Sequence, residues 1–228
     1  MKKGIVLTAM AGVALMGGTA MANEYKVYDS QGGITDWIDG ENAEMRVEIF
    51  IEDHGEIKMW DMVGLNDFSH TWAGDLTIAL EHKDTGTTVV LVNRPGMGDD
   101  VDGDGIGDGF DAWPGEGCCG DSSDFGGNYV FRDGGDNLNQ ALAAIGGAEI
   151  LDDSVAYAPQ GTPTMGQGSL DAFVGEDKFG LWSLRVYDGA AGDVGSLGNF
   201  TIGFFNVPAP GALALLGLAG LVGRRRRA

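Results

Sequence analysis

The stretch 180–205, GLWSLRVYDGAAGDVGSLGNFTIGFF, constrains the fold of this chain more than any other. Trp182, Leu184 and Val186 alternate with Ser183, Arg185 and Tyr187, and further on Phe200, Ile202 and Phe204 alternate with Thr201 and Gly203. A period of two is the mark of half-buried strands. Between the two runs, residues 188–195 are rich in Gly and Asp, which accept φ > 0 or form Asx turns, so the pair is expected to form a β-hairpin. A lone hairpin is marginal in water. The rest of the chain must therefore supply a second sheet to cover its apolar face.

Upstream, short alternating runs recur between turn signals. In 43–53, Met45, Val47, Ile49 and Ile51 fall opposite Arg46 and Glu48; in 56–65, Ile57, Met59, Asp61, Val63 and Leu65 share a face. Leu76, Ile78 and Leu80 then alternate with polar neighbours, and the β-branched run 87–92 follows a turn at 83–86. Such spacing is the pattern of a sandwich. From 93 to 128 the alternation stops and Gly and Asp dominate; 129–131 resumes as a strand edge, 138–145 reads as a short helix and 157–173 as an extended connection.

Both ends read as addresses. Residues 1–22 have Lys2 and Lys3, an apolar run and small residues up to Ala22, the form of a secretory signal cleaved between Ala22 and Asn23. At the other end Val207, Pro208, Ala209 and Pro210 precede the apolar run 212–222 and the cluster Arg224, Arg225, Arg226 and Arg227. Residues 207–223 reach the lower limit of the ~17–25 residues that span a bilayer. The arginines would stay cytoplasmic, leaving 23–206 outside.

The chain carries a formal charge of −20; six of its 14 basic residues and none of its 34 acidic ones lie in these two end segments, so the body stands at −26. That surface repels nucleic acid and attracts cations. The two cysteines, Cys118 and Cys119, are adjacent, which is no disulfide framework. In an exported chain they can close a strained ring, pair with another chain or stay free. No G-x-S-x-G elbow occurs. His54 reads as a turn residue, His70 as preceding a strand and His82 as exposed at a strand end.

Several blocks, in order, resemble a known family: His70 to Leu76 (HTWAGDL), Gly86-Thr87, Leu91 to Gly96 (LVNRPG), Trp182 to Asp188 (WSLRVYD), Gly192-Asp193 and Gly195 to Leu197. Together they are similar to the P domain, or homo B domain, that follows the catalytic domain of subtilisin-like proprotein convertases. The resemblance covers roughly residues 33–206. It implies an all-β, jelly-roll β-sandwich of about eight strands, here with a long Asp/Gly-rich insert at 99–128 and apolar helices only at the termini. It implies a module without an active site, which in that family stabilises the protease; the residues ahead of the blocks read as a signal, so no catalytic domain is expected with it. The tail resembles a PEP-CTERM sorting signal, with Ala209 where the name-giving Glu would stand. That likeness implies an exosortase-like membrane transpeptidase as a transient partner.

Within the insert, Asp100, Asp102, Asp104, Asp108 and Asp111 occupy loop positions 1, 3, 5, 9 and 12, Gly105 sits at the turn, and Ile106 offers its carbonyl at position 7. This spacing wraps oxygens around a hard cation, and clustered short carboxylates suit Ca2+. The loop resembles those of thrombospondin type 3 repeats and is EF-hand-like in spacing. A solvated acidic spacer is the alternative. The expected function is an exported, non-catalytic calcium-binding module of the cell envelope. Trp113 on the ordered loop would meet an envelope polysaccharide or a surface protein, or pack on the sandwich.

Overall fold

In a computed structural model the chain is described for residues 23–37, 43–96, 120–147, 149–162, 166 and 168–208. Among them run β1 (Glu24–Asp29), β2 (Ala43–Ile51), β3 (Gly55–His70), β4 (Leu76–His82), β5 (Thr87–Asn93), β6 (Phe125–Asp136), α1 (Leu138–Ile145), β7 (Ala156–Tyr157), β8 (Gly180–Asp188), β9 (Gly195–Ser196) and β10 (Asn199–Pro208). A larger sheet has the order β1-β10-β3-β6-β7, with β9 also on β3; a smaller one has the order β2-β8-β4-β5. The protein is an all-β sandwich. Eight of its ten described strands are longer than two residues. Residues 1–22, expected to be a signal, and the tail beyond Pro208, with the helices expected there, lie outside the described residues, among which no helix is long and apolar enough to cross a membrane.

The expected hairpin does not form. β8 pairs with β2 and β4, whereas β10 pairs with β1 and β3, so the two arms belong to opposite sheets. Each is apolar on one side because it faces the other across the core: the Trp182 and Phe204 rings stand 6.4 Å apart. Alternation reports a buried face, not a pairing partner. The Gly/Asp-rich stretch between them is a crossover, fastened midway where β9 pairs with Ser69 and His70.

β3 departs from strict alternation. Opposite β10 its register shifts twice, so that Phe204 faces Trp60, Phe205 faces Met59 and Asn206 faces Ile57. These bulges turn Trp60 into the core, 6% exposed, and leave Met59 outside at 49%. The face that alternation predicts for 57–65 is thus broken in its middle. β6 is also longer than expected. It starts at Phe125, within the Gly-rich stretch, because Gly126 and Gly127 let the side chains of Ile150 and Asp153 pack against the strand. α1 forms where expected: the Asn137 side chain accepts from Gln140 N at its start, and Gly146 takes the left-handed conformation at its end.

The register gives the sandwich two distinct ends. Ile51 pairs with Gly180, His82 with Trp182, Pro208 with Gly55 and Glu24 with Asn206, so these residues share one end, from which the chain leaves toward its tail. Leu76 and Ala43 pair with Asp188, and His70 with Phe125 and Gly195, at the other. Ten residues of β10 separate the ends by about 30 Å.

Trp182 is fully buried, with Trp60, Phe173 and His82 around it. Trp182→Ala is expected to cost about 3–5 kcal/mol of stability in chemical denaturation. A loss below 1 kcal/mol, on the order of a surface change, would contradict its place in the core.

Candidate functional site at the base of the insert

At the end opposite the tail the chain concentrates buried polar groups. His70 closes β3, Ala73–Asp75 form one 3-10 turn, Arg94 follows β5, and Asp188 closes β8. Asp75, Arg94, Asp188 and His70 are each no more than 3% exposed. The arginine holds φ at 41°, an uncommon value outside glycine, which directs its side chain back under the turn. There its Nε donates to Gly74 O at 3.1 Å, and Nη2 stands 3.6 Å from Asp75 Oδ1. Gly189 packs flat against the guanidinium; a Cβ there would lie 2.8 Å from Arg94 Cζ. Asp188 Oδ2 accepts from Trp37 Nε1 at 2.9 Å and faces His70 Nε2 at 3.3 Å. On the rim, Thr71 Oγ1 donates to Asp193 Oδ1 at 2.9 Å.

Burial is the largest influence on Asp75 and pushes its carboxyl up to about 6; Arg94 opposes this, Asp188 and Asp193 add to it, and His70 opposes it. The same desolvation lowers the Arg94 pKa, against the pull of Asp75, Tyr187 and Asp188. The pair is therefore electrostatically costly as well as cohesive.

This end is also where the acidic insert leaves and returns. Asp121 N donates to Pro95 O at 2.7 Å, Gly74 N donates to Asp121 O at 2.8 Å, and Ser123 N donates to Asp121 Oδ1 at 2.8 Å. Gly74 is required by the contact: a Cβ would sit 2.4 Å from the backbone of Gly120 and Asp121. The neck of the insert is thus closed by backbone hydrogen bonds beside the Asp75–Arg94 pair.

The cation ligands expected at Asp100, Asp102, Asp104, Ile106, Asp108 and Asp111 lie outside the described residues, as do Trp113, Cys118 and Cys119. So do Ala22, Ala209, Pro210 and Arg224 to Arg227. Asn23 is exposed just before β1, and Val207 and Pro208 are the last residues of β10, paired with Glu56 and Gly55. Among the described residues no group of three His, Cys, Asp or Glu side chains is placed to hold a metal ion.

His82 departs from expectation. It is 1% exposed, stacked on Trp182 at 4.1 Å, with Nδ1 2.7 Å from Glu176 Oε2 and Nε2 3.1 Å from Phe179 O. A strand-end position does not imply exposure when the flanking segment folds over it, as 176–179 does here. His54 is the exposed turn residue expected, paired with Asp177 at 2.7 Å. The His70 Nδ1 lies against the Trp72 backbone, 3.1 Å from its N and 2.9 Å from its O. Among the described residues no Ser or Thr hydroxyl hydrogen-bonds a histidine ring, so no Ser–His pair is assembled there.

Of the sequence blocks that carry the resemblance, His70 to Leu76, Leu91 to Gly96, and Asp188 with Asp193 and Gly195 meet at this end, whereas Gly86-Thr87 and Trp182 lie at the other. The burial of Arg94 is not legible in the sequence, where its one local signal is its place at the close of an apolar run. No protein-family model matches the chain, and no curated protein does. The fold is similar to part of a solved protein, the crystal structure of serine protease of Aeromonas sobria, at 14% identity and a TM-score of 0.38. The match covers 80% of this chain and 26% of that one, so the chain spans about a quarter of that protein's length. A likeness this distant bears on neither family nor activity.

The raised carboxyl has a measurable effect. Folded protein holds a proton on Asp75 that the unfolded chain releases near pH 4, so stability declines as pH rises from about 4 to about 6, by on the order of 3 kcal/mol. In Asp75→Asn that part of the slope is expected to vanish when unfolding free energies are compared across this window. Identical slopes in the two proteins would exclude the assignment.

Proposed function

We propose that the body of this protein is an exported, non-catalytic, P-domain-like module whose acidic insert binds calcium and presents a fixed surface to an envelope partner. The observation that carries the reading is the closed neck. Pro95 O and Asp121 N are 2.7 Å apart, and Gly74 ties Asp121 to the sandwich, so the Asp/Gly repeat is strung between two fixed points. Asp100, Asp102, Asp104, Asp108 and Asp111, with the carbonyl of Ile106, are the residues that would hold Ca2+. The ion would neutralise carboxylates that otherwise repel one another. An envelope polysaccharide or a surface protein is the partner class, nucleic acid being disfavoured by the body's charge of −26.

Export rests on the signal-like 1–22, and sorting on Val207 to Pro210, the apolar run and the four arginines. An exosortase-like transpeptidase would act on that tail and release the body from a transient membrane anchor. A second reading makes the module an accessory to a separately encoded subtilisin-like endopeptidase. It is favoured by an apolar strip on the outer face of the larger sheet, where Val27 is 50% exposed and Met59 49%, beside Phe205. Co-purification of such a protease, lost in Val27→Asp/Met59→Asp, would support it over the first.

The calcium reading is tested by thermal unfolding with calcium and with chelator. At a hundredfold excess over Kd the gain is about 2.7 kcal/mol, a rise in Tm of about 5–10 °C for a chain of this size. The rise should disappear in Asp102→Ala/Asp104→Ala. An unchanged Tm in the unaltered protein would make the insert a solvated spacer.

A further inference from the structure

The two ends of the sandwich differ in chemistry as well as in position. At the end where β10 leaves, Phe50 is 58% and Val174 40% exposed. Phe179, half-buried, meets Phe50 edge-on at 5.6 Å and carries the exposed His54 ring stacked on it at 4.2 Å. Gly175 N donates to Ile57 O at 2.8 Å, which holds Val174 beside the start of β3. The lysines of the described residues are also here, Lys26, Lys58 and Lys83 at the surface and Lys178 buried at 1% exposed. They and His54 pair with much of the nearby acid: Lys26 with Asp53 and Glu24, Lys58 with Glu56, Lys83 with Glu81, and His54 with Asp177. At the far end Asp67, Asp75, Asp121, Asp188 and Asp193 have Arg94 as the one Lys or Arg among the described residues there.

From Pro208 to the apolar run at Ala212 is four peptide units, at most about 14 Å when fully extended. If that run enters hydrocarbon, the Phe50 end of the sandwich is held against the bilayer surface. Aromatic and aliphatic side chains flanked by exposed lysines, here Lys58 beside Ile57 and Lys83 on the Leu181 backbone next to Phe50, are the chemistry that settles at such an interface. We infer that this end of the sandwich rests on a lipid surface, with Phe50, Val174 and Phe179 making the contact and the neck of the acidic insert turned about 30 Å away. The acids at this end still outnumber the lysines, so the contact is apolar and suits zwitterionic headgroups. The inference rests on the reading of the tail as a membrane anchor.

The test uses the full chain with Cys118 and Cys119 replaced by serine, reconstituted with phosphatidylcholine vesicles. An environment-sensitive dye is placed at Phe50→Cys, Val174→Cys or Val194→Cys. Val194, 59% exposed, is the far-end control. Flotation reads the anchor; quenching by headgroup spin-labelled lipid reads the contact, and circular dichroism confirms that each variant is folded. The expected result is flotation of all three, with quenching at 50 and 174 several-fold stronger than at 194. A chain that floats with equal quenching at the three sites, or most at 194, overturns the orientation and leaves the anchor standing. Failure to float removes the anchor and the orientation with it. A blue shift at 50 and 174 that grows with protein concentration in the absence of vesicles assigns the patch to a second copy and overturns the lipid contact.

Discussion

The sandwich depends on a stack of rings at its centre. Trp182, from the smaller sheet, has the His82 imidazole 4.1 Å from its ring centroid and nearly parallel, with Trp60 at 5.3 Å, Phe173 at 5.1 Å and Phe204 at 6.4 Å. Its indole N–H donates to Lys178 O at 3.0 Å, so the one polar atom of the side chain is satisfied inside. Trp60 and Phe204 belong to the larger sheet. One residue therefore fixes how the two sheets face each other, and the segment 176–179 is drawn over the edge of the core to meet both the indole and His82. The buried Lys178 follows from this: its backbone is held by the tryptophan, and its ammonium reaches Tyr28 OH at 2.9 Å, while burial lowers its pKa.

How much of this is legible in the sequence varies with the physical signal. Strand existence is legible wherever side-chain polarity alternates: in β2 one face is buried and the other wet, whereas in β4 and β8 the second face, with Thr77 and Ser183, is buried as well and only the alternation of polarity marks the strand. Partnership is not, since the same alternation describes a hairpin and two strands facing each other across a core. Trp182 and Phe204 stand in the second relation. Bulges are silent too: the two extra residues in β3 exchange Met59 and Trp60 between faces with no change in composition. β6 is hidden by its glycines, which mark close approach of Ile150 and Asp153 rather than a loop. At the candidate site the sequence blocks name His70, Asp75, Arg94 and Asp188 individually. Their convergence arises from strand register, which pairs Leu76 with Asp188 and places Arg94 N on Leu76 O at 2.8 Å.

The same convergence sets a tension between stability and order. A buried Arg–Asp pair at 3.6 Å is too long to recover its desolvation by hydrogen bonding, and Asp75 Oδ1 has no hydrogen-bond partner within the described residues. What the arrangement supplies is fixed geometry. Arg94 Nε holds the Gly74 carbonyl, Gly189 N holds the Asp75 carbonyl, and Gly74 N holds Asp121. Charge at this end thus secures the turn from which the insert springs.

The position of the insert explains why a long Asp/Gly stretch is tolerated at all. β5 lies at the edge of the smaller sheet and β6 within the larger one, so the chain must cross between sheets there whatever its length. Once the crossing is closed at Pro95 and Asp121, each doubling of the loop beyond it costs only about 0.6 kcal/mol in closure entropy. The sandwich can carry the acidic segment almost without thermodynamic consequence, provided the carboxylates do not press on the core. Asp75, already raised by burial and by Asp188 and Asp193, is the group most exposed to that pressure. Negative charge near the neck favours its protonated form and weakens its hold on Arg94, and positive charge there does the opposite. The protonation of Asp75 is therefore the property of the buried pair that responds to charge placed near the neck.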